Sequence, residues 1–299
     1  MTAPTGPSTA GPSTPAPPST ASVSTAASDR GPATADLHGV LSALATPFDA
    51  DDALDVPALH RVIDRSLDSG VHGVVAGGST GEFASLLPDE RMRLVEEVTT
   101  HTAGRVPVIA QTGATTTTEA IRHSRAAHAA GADALMLVTP YYEPLSLTEA
   151  VDYLRTVADA VELPIMLYNI PDATGLDLDP ETVAALADEF DHIRFIKDSS
   201  ADWALGLQLI HHLGDRVGTF IGWDVYAYGA LVEGAAGIMA GSANVLGPEL
   251  VAVHDAVSAG DLAGGLARWK RLYPVIDRML SAEAEAALEA ALASLDSAD

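Results

Sequence analysis

Eight short apolar runs recur along the chain from residue 39 onward, with longer helix-like segments between them. They are GVLSALATPF (39–48), GVVAGG (73–78), VPVIAQTG (106–113), ALMLVTP (134–140), PIMLYNIP (164–171), IRFIKDSS (193–200), VGTFIGWD (217–224) and AGIMAGSANV (236–245). Their midpoints lie 18 to 34 residues apart, the length of a strand plus the crossover helix that a parallel neighbour requires. Most runs are continuously apolar and not alternating, as strands buried on both faces must be.

The intervening segments carry helix signals. The segment 56–69 starts after Asp55, has Pro57 in its first turn and stops at Gly70, with Leu59, Val62, Ile63 and Leu67 on one stripe. Segments 88–103, 117–130 and 201–213 end at Gly104, Gly131 and Gly214, so a glycine C-cap repeatedly precedes the next strand. Eight such units predict an α/β fold, a (β/α)8 or TIM barrel, over residues 37–246. An open doubly wound sheet competes, but the first run is not followed by a GxGxxG turn. Residues 247–299 predict a C-terminal helical extension: helices at 250–259 and 262–280, then SAEAEAALEAALASLDSAD, which is alanine-rich and acidic with a thin apolar stripe. Residues 1–36, rich in Pro, Ser, Thr and Ala, have almost no large apolar side chains to offset ordering entropy and predict a disordered tail.

Composition narrows the function. A formal charge of −25 repels phosphate backbones and anionic lipid, which argues against nucleic-acid and membrane partners. The absence of cysteine removes thiol nucleophiles, zinc knuckles and disulfide frameworks. No apolar run reaches the length of a membrane span, and the N-terminus lacks a secretory pattern, so the expected location is the cytoplasm. The ten histidines fall mostly in predicted helices or ahead of strands, with no HxH or HExxH spacing, so no metal site is expected. Only two of the 16 basic residues are lysines, Lys197 and Lys270.

In a barrel of this kind the functional groups gather at the C-terminal ends of the strands. Those ends read Gly77-Gly78-Ser79-Thr80-Gly81-Glu82, Thr139-Pro140-Tyr141-Tyr142, Tyr168-Asn169-Ile170-Pro171 and Lys197-Asp198-Ser199. Lys197 shares a strand face with Phe195, which turns it either into the barrel or toward the helices. Inside the barrel, loss of water disfavours an ammonium and frees an amine to attack a carbonyl, the requirement for a Schiff-base nucleophile. The alternatives are a lysine reaching solvent or paired with Asp198. Tyr168 would enter the same mouth, where a phenol can shuttle protons; otherwise it is a half-buried core residue. The GGSTGE turn offers backbone N–H groups and hydroxyls suited to a carboxylate, and does not match a P-loop.

Taken in order, GGSTGE, GA followed by threonines and EAI, GADALMLVTPYY, YNIP with TG, IKDSS, GWD and GSANV resemble the dihydrodipicolinate synthase and N-acetylneuraminate lyase family over roughly residues 38–280. The resemblance implies a (β/α)8 barrel with a C-terminal helical extension, usually a homotetramer of tight dimers, and a Schiff base between the strand-six lysine and a 2-oxo acid, typically pyruvate, without metal or organic cofactor. It implies Lys197 as imine nucleophile, Tyr168 as proton relay, and Ser79 and Thr80 as carboxylate ligands. Thr80 would also link Tyr168 toward a second tyrosine, Tyr142, which in the synthase branch reaches across the tight dimer. Gly78, Gly222, Asp224 and Ser242 complete the implied substrate-binding set, with Asp224 as a hydroxyl contact.

Two departures narrow the branch. Ala173 stands where the synthases carry an arginine for the aldehyde partner's carboxylate, and Asp172 beside it would repel an anion. Val225 follows Gly222-Trp223-Asp224 where the sialic acid lyases carry a glutamate. The expected activity is therefore cleavage or formation of a 4-hydroxy-2-oxo acid of the 2-keto-3-deoxy sugar acid type, giving pyruvate and an aldehyde. The alternatives are a 4-hydroxy-tetrahydrodipicolinate synthase or keto-deoxy-glucarate dehydratase reaction on the same imine, or a barrel that binds a 2-oxo acid without turnover.

Overall fold

A computed structural model of the chain describes residues 1–2 and 37–280. The chain divides into two units, Met1–Ala33 and Thr34–Asp299, and every element named below belongs to the second. The expected tail beyond Thr2 and the acidic alanine-rich stretch from Ser281 lie outside the described residues.

Eight parallel strands close on themselves in chain order: β1 (Gly39–Ala43), β2 (Gly73–Ala76), β3 (Val108–Gln111), β4 (Ala134–Val138), β5 (Ile165–Asn169), β6 (Ile193–Asp198), β7 (Gly218–Ile221) and β8 (Gly237–Ala240), with β8 pairing back onto β1. The expected (β/α)8 barrel is the fold observed. Its strands are apolar throughout because each alternates between two cores. Leu41, Val75, Ile109, Met136, Met166, Phe195, Phe220 and Met239 fill the barrel interior. Val40, Val74, Ala110, Leu137, Leu167, Ile196 and Ile238 point outward against the helices.

The surrounding helices are α1 (Val56–Asp68), α2 (Pro88–Thr102), α3 (Thr117–Ala130), α4 (Leu147–Asp159), the single turn α5 (Pro171–Thr174), α6 (Pro180–Glu189), α7 (Trp203–Leu213), α8 (Ala227–Val232), α9 (Ala243–Ser258) and α10 (Leu262–Met279). Their starts follow local chemistry, since Asp55, Thr116, Ser146, Asp179 and Asp202 each accept a backbone N–H of the first turn. Two boundaries differ from expectation. α7 begins at Trp203 and not at residue 201, because Ala201 is left-handed (φ 59°) and Asp202 takes the cap. α9 begins well before residue 250 and straddles position 246, kinking at Leu246 ahead of Pro248. It is fixed to β1 by Asn244, whose Nδ2 donates to the Ala43 carbonyl (2.6 Å) and whose Oδ1 accepts from Ala45 N (3.1 Å).

The glycine stops also divide. Gly131 is a left-handed cap (φ 91°), whereas Gly214 is right-handed (φ −55°). What demands glycine at 214 is space: a Cβ there would lie 2.5 Å from the Ile210 carbonyl oxygen.

His123, buried on α3, is lowered to about 4, first by burial and then by the charges of Arg91 and Arg122. A histidine depressed below its unfolded value near 6.5 contributes stability above that pH and loses it as pH falls toward 4. Urea unfolding should therefore show about 1–2 kcal/mol less stability at pH 5 than at pH 7 from this residue, and His123→Gln should flatten the difference. An unchanged pH slope in the variant would rule out this origin.

Candidate active site

Lys197 and Tyr168 are direct register partners on β6 and β5. Both are buried and both face the barrel interior, on the same strand faces as Phe195 and Met166. The Lys197 Nζ lies 4.2 Å from the centroid of the Tyr168 ring. Of the two orientations open to Lys197, the interior one is observed, and it is not paired with Asp198. That residue points to the opposite face, where it accepts from Asn169 Nδ2 (3.0 Å) and Ser200 Oγ (3.1 Å).

The turn after β2 brings a hydroxyl to the phenol, with Ser79 Oγ 3.2 Å from Tyr168 Oη. The bond expected from Thr80 is thus made by Ser79. Thr80 stands beside Gly241, where a Cβ would lie 3.0 Å from its Oγ1. Both hydroxyls are exposed at the mouth. The turn is possible because Gly77 is left-handed (φ 65°), and it is tied to the end of β1 by Thr46 Oγ1 donating to the Gly81 carbonyl (2.7 Å). Gly78 lies over the interior, its missing Cβ 3.8 Å from Met136 Cε.

Burial alone would push the Tyr168 phenol up. The adjacent Lys197 charge and the Ser79 hydrogen bond outweigh it and hold the phenol below its ordinary range. The phenol is thereby biased toward giving up its proton.

On the other side of the lysine, Gly222 follows β7. A Cβ there would lie 2.2 Å from Ser199 Oγ and 2.5 Å from Lys197 Cε, so a larger residue displaces the lysine arm. Asp224, on a 3-10 turn (Asp224–Tyr226), is buried, and its Oδ2 accepts from Ser242 N (2.9 Å). Burial raises its carboxyl above the usual range, while the Ser242 bonds and the Lys197 charge oppose the rise. Lys197, Tyr168, Ser79, Gly222, Asp224 and Ser242 therefore share one mouth.

Tyr142 does not join them within the chain. It is 83% exposed and lines a 650 Å³ cleft with Thr115, Thr117, Glu143, Leu145 and Tyr153. Its neighbour Tyr141 packs instead on Phe83, the ring centroids 5.3 Å apart. Asp172 and Ala173 are exposed on α5 just past the end of β5. Val225 packs against the outer core. Sequence reasoning missed Ser199, although alternation along Lys197-Asp198-Ser199 puts it on the lysine's face.

Among the described residues, one group could hold a metal: His72, His254 and Asp255 bring ligand atoms within 4.8 Å of one another. His72 immediately precedes β2, so the group sits at the end of the barrel away from Lys197. His72 Nδ1 already accepts from Val40 N (3.1 Å), which places the neutral ring's proton on Nε2 and leaves no free lone pair for an ion. No helix among the described residues is long and apolar enough to cross a membrane.

Comparison with known proteins agrees with this geometry. Residues 36–298 match the Dihydrodipicolinate synthetase family. A 4-hydroxy-tetrahydrodipicolinate synthase of Pelobacter propionicus is 40% identical over 224 residues, 75% of this chain and 77% of the relative. An uncharacterized DapA-like lyase of Halobacterium salinarum is 40% identical over 241 residues, 80% of this chain and 78% of the relative. Among solved structures, YagE from E. coli K12 in complex with pyruvate superposes with a TM-score of 0.79 at 33% identity, covering 82% of this chain and 83% of that one. CdNal from Clostridium difficile in complex with mannosamine gives 0.78 at 27% identity, covering 82% and 84%. With a matching profile over nearly all of the barrel and relatives at this identity, the chain belongs to the dihydrodipicolinate synthetase family and is a pyruvate-dependent lyase or aldolase of the lysine Schiff-base type.

Proposed function

We propose that Lys197 is the imine-forming lysine and that the enzyme cleaves or forms a 4-hydroxy-2-oxo acid of the 2-keto-3-deoxy sugar acid type, yielding pyruvate and an aldehyde. The observation that carries this reading is the buried contact between the Lys197 amine and Tyr168, with Ser79 bonded to the phenol.

The steps build on that contact. The Lys197 amine adds to C2 of the 2-oxo acid, and the carbinolamine expels water as Tyr168 relays the proton. Ser79, Thr80 and the N–H groups of their turn hold the carboxylate. Tyr168 as phenolate takes the proton of the C4 hydroxyl; the C3–C4 bond breaks, its electron pair passes into the iminium to form an enamine, and the aldehyde leaves. Protonation at C3 and addition of water release pyruvate and restore the amine. The water lost in forming the imine equals the water consumed in hydrolysing it, so the cycle closes without oxidant or reductant, and no metal or organic cofactor enters it.

The acceptor side supports a hydroxylated aldehyde. Asp224, Ser242 and Ser199 line the lysine's far side with polar groups, while α5 presents Ala173 and Asp172 where an anionic aldehyde would need a cation. The mannosamine bound to CdNal is a polyhydroxylated molecule in a similar barrel. A second reading, 4-hydroxy-tetrahydrodipicolinate synthase, is favoured by the name of the Pelobacter relative, and a keto-deoxy-glucarate dehydratase would start from the same imine. The proposal includes a homotetramer of tight dimers in the cytoplasm, in which the exposed Tyr142 reaches a neighbour's mouth to act with that subunit's Tyr168.

Intact mass after pyruvate and borohydride should show an adduct on the native chain and none on Lys197→Ala. No adduct on folded native protein would reject the imine at Lys197 and leave a barrel that only binds. Release of pyruvate from 2-keto-3-deoxy sugar acids, set against consumption of aspartate semialdehyde, separates the two catalytic readings. Tyr168→Phe should lower turnover by about 10²–10⁴-fold, the usual worth of a positioned proton relay. Gly222→Ala should slow trapping by at least about tenfold through displacement of the lysine arm; a native trapping rate would show that the arm needs no such space.

A further inference from the structure

The Lys197 and Tyr168 pair has a second pair directly behind it. One residue further along each strand, Asn169 stands opposite Asp198, and alternation turns these two toward the helices. There Asp198 Oδ2 lies 3.7 Å from where a Cβ of Gly206 on α7 would be. Both side chains are buried, Asn169 at 1% and Asp198 at 3% exposure, in a mostly apolar shell in which Ser42 and Thr219 are the other buried polar strand side chains.

Their hydrogen bonds reach the loops around the lysine. Asn169 Nδ2 donates to Asp198 Oδ1 (3.0 Å) and Asp177 Oδ1 (3.2 Å), and Asn169 Oδ1 accepts from Leu178 N (3.0 Å). Asp198 accepts from Ser200 N (3.2 Å) and Ser200 Oγ (3.1 Å). The two main-chain carbonyls take Ser199 N (2.8 Å, to Asn169 O) and Gly222 N (2.7 Å, to Asp198 O).

The β5–β6 ladder itself is irregular, with its register shifting at Ile165/Met166, below the reacting pair. Above that shift the pairing runs regularly from Met166↔Phe195 to Asn169↔Asp198, and a slip of one residue there would turn Lys197 out of the barrel. A buried carboxylate in an apolar shell is costly, and an apolar pair of similar volume would serve stability at least as well. Directional bonding is what it adds.

We propose that Asn169 and Asp198 form a positioning clamp that sets the Lys197 amine against the Tyr168 phenol, acting through β5 and β6 without touching substrate. The proposal rests on the imine reading of Lys197, and its test separates the two. Pyruvate–borohydride trapping is followed as a rate against pyruvate concentration in Asn169→Ala, Asp198→Ala and Asp198→Asn. The alanine variants should trap at least about tenfold more slowly at saturating pyruvate, with the half-saturating concentration within about twofold of native because the Ser79 turn is intact. Asp198→Asn, whose amide oxygen still accepts from Asn169, should stay within about threefold.

A second readout needs no substrate. The Tyr168 phenol is faced by Lys197 from β6, Ser79 from the β2 turn and Ser199. Its tyrosinate absorbance, taken as a difference from Tyr168→Phe, should titrate higher in the alanine variants as those partners move away. Alanine variants that trap at the native rate, or lose rate only in proportion to folded fraction by near-ultraviolet circular dichroism, would overturn the clamp. If native protein does not trap at all, the imine reading fails and the titration alone decides: no shift in the alanine variants overturns the clamp as well.

Discussion

Lys197 and Tyr168 meet because β5 and β6 pair in parallel with these two residues opposite one another and both side chains turned into a closed barrel. That one pairing carries the rest of the site. Closure removes the lysine from solvent and sets the phenol beside it. It fixes the height at which Ser79 must arrive from β2, and the side from which Gly222 must leave room. In a flat sheet the same residues would stand on a surface, where water would screen the charge that now biases the phenol.

The interior and the mouth obey different rules. Below the site, Phe195, Phe220, Met136 and Met166 pack together, and stability there comes mainly from apolar burial. At the mouth the chain accepts costs: a buried carboxyl at Asp224, another at Asp198, and left-handed backbone at Glu82 and Ala201. Such costs concentrate where geometry matters more than stability.

The chain's net charge of −25 sits awkwardly with an anionic 2-oxo acid, which the distant field repels. Over the last few ångströms the local groups decide, since salt screens the far charges within about 8–10 Å. In the mouth those groups are a lysine, the Ser79 and Thr80 hydroxyls, and the buried Asp224 carboxyl, which accepts from Ser242 N. The acidic excess therefore weighs on encounter more than on capture.

Much of this is legible in the sequence. Continuous apolar runs at βα spacing can be buried only between an interior and a helical shell, so eight of them imply a barrel, and the motifs at their C-terminal ends mark Lys197, Tyr168, Ser79 and Thr80. What sequence leaves open is every relation across strands. Strand alternation ties Lys197 to the face of Phe195, but which face is the interior depends on closure. The hydroxyl bonded to Tyr168 belongs to Ser79 and not Thr80 because the left-handed Gly77 sets how the turn is aimed. Ser199 and the Asn169–Asp198 pair escape a reading by motif because their roles lie in neighbours 20 to 30 residues away. Gly214 reads as a handed cap, yet it serves a close approach to Ile210. Period and motif determined the fold and the chemistry on offer; the register of eight strands, a property of the closed sheet and of no single segment, decided which atoms could meet.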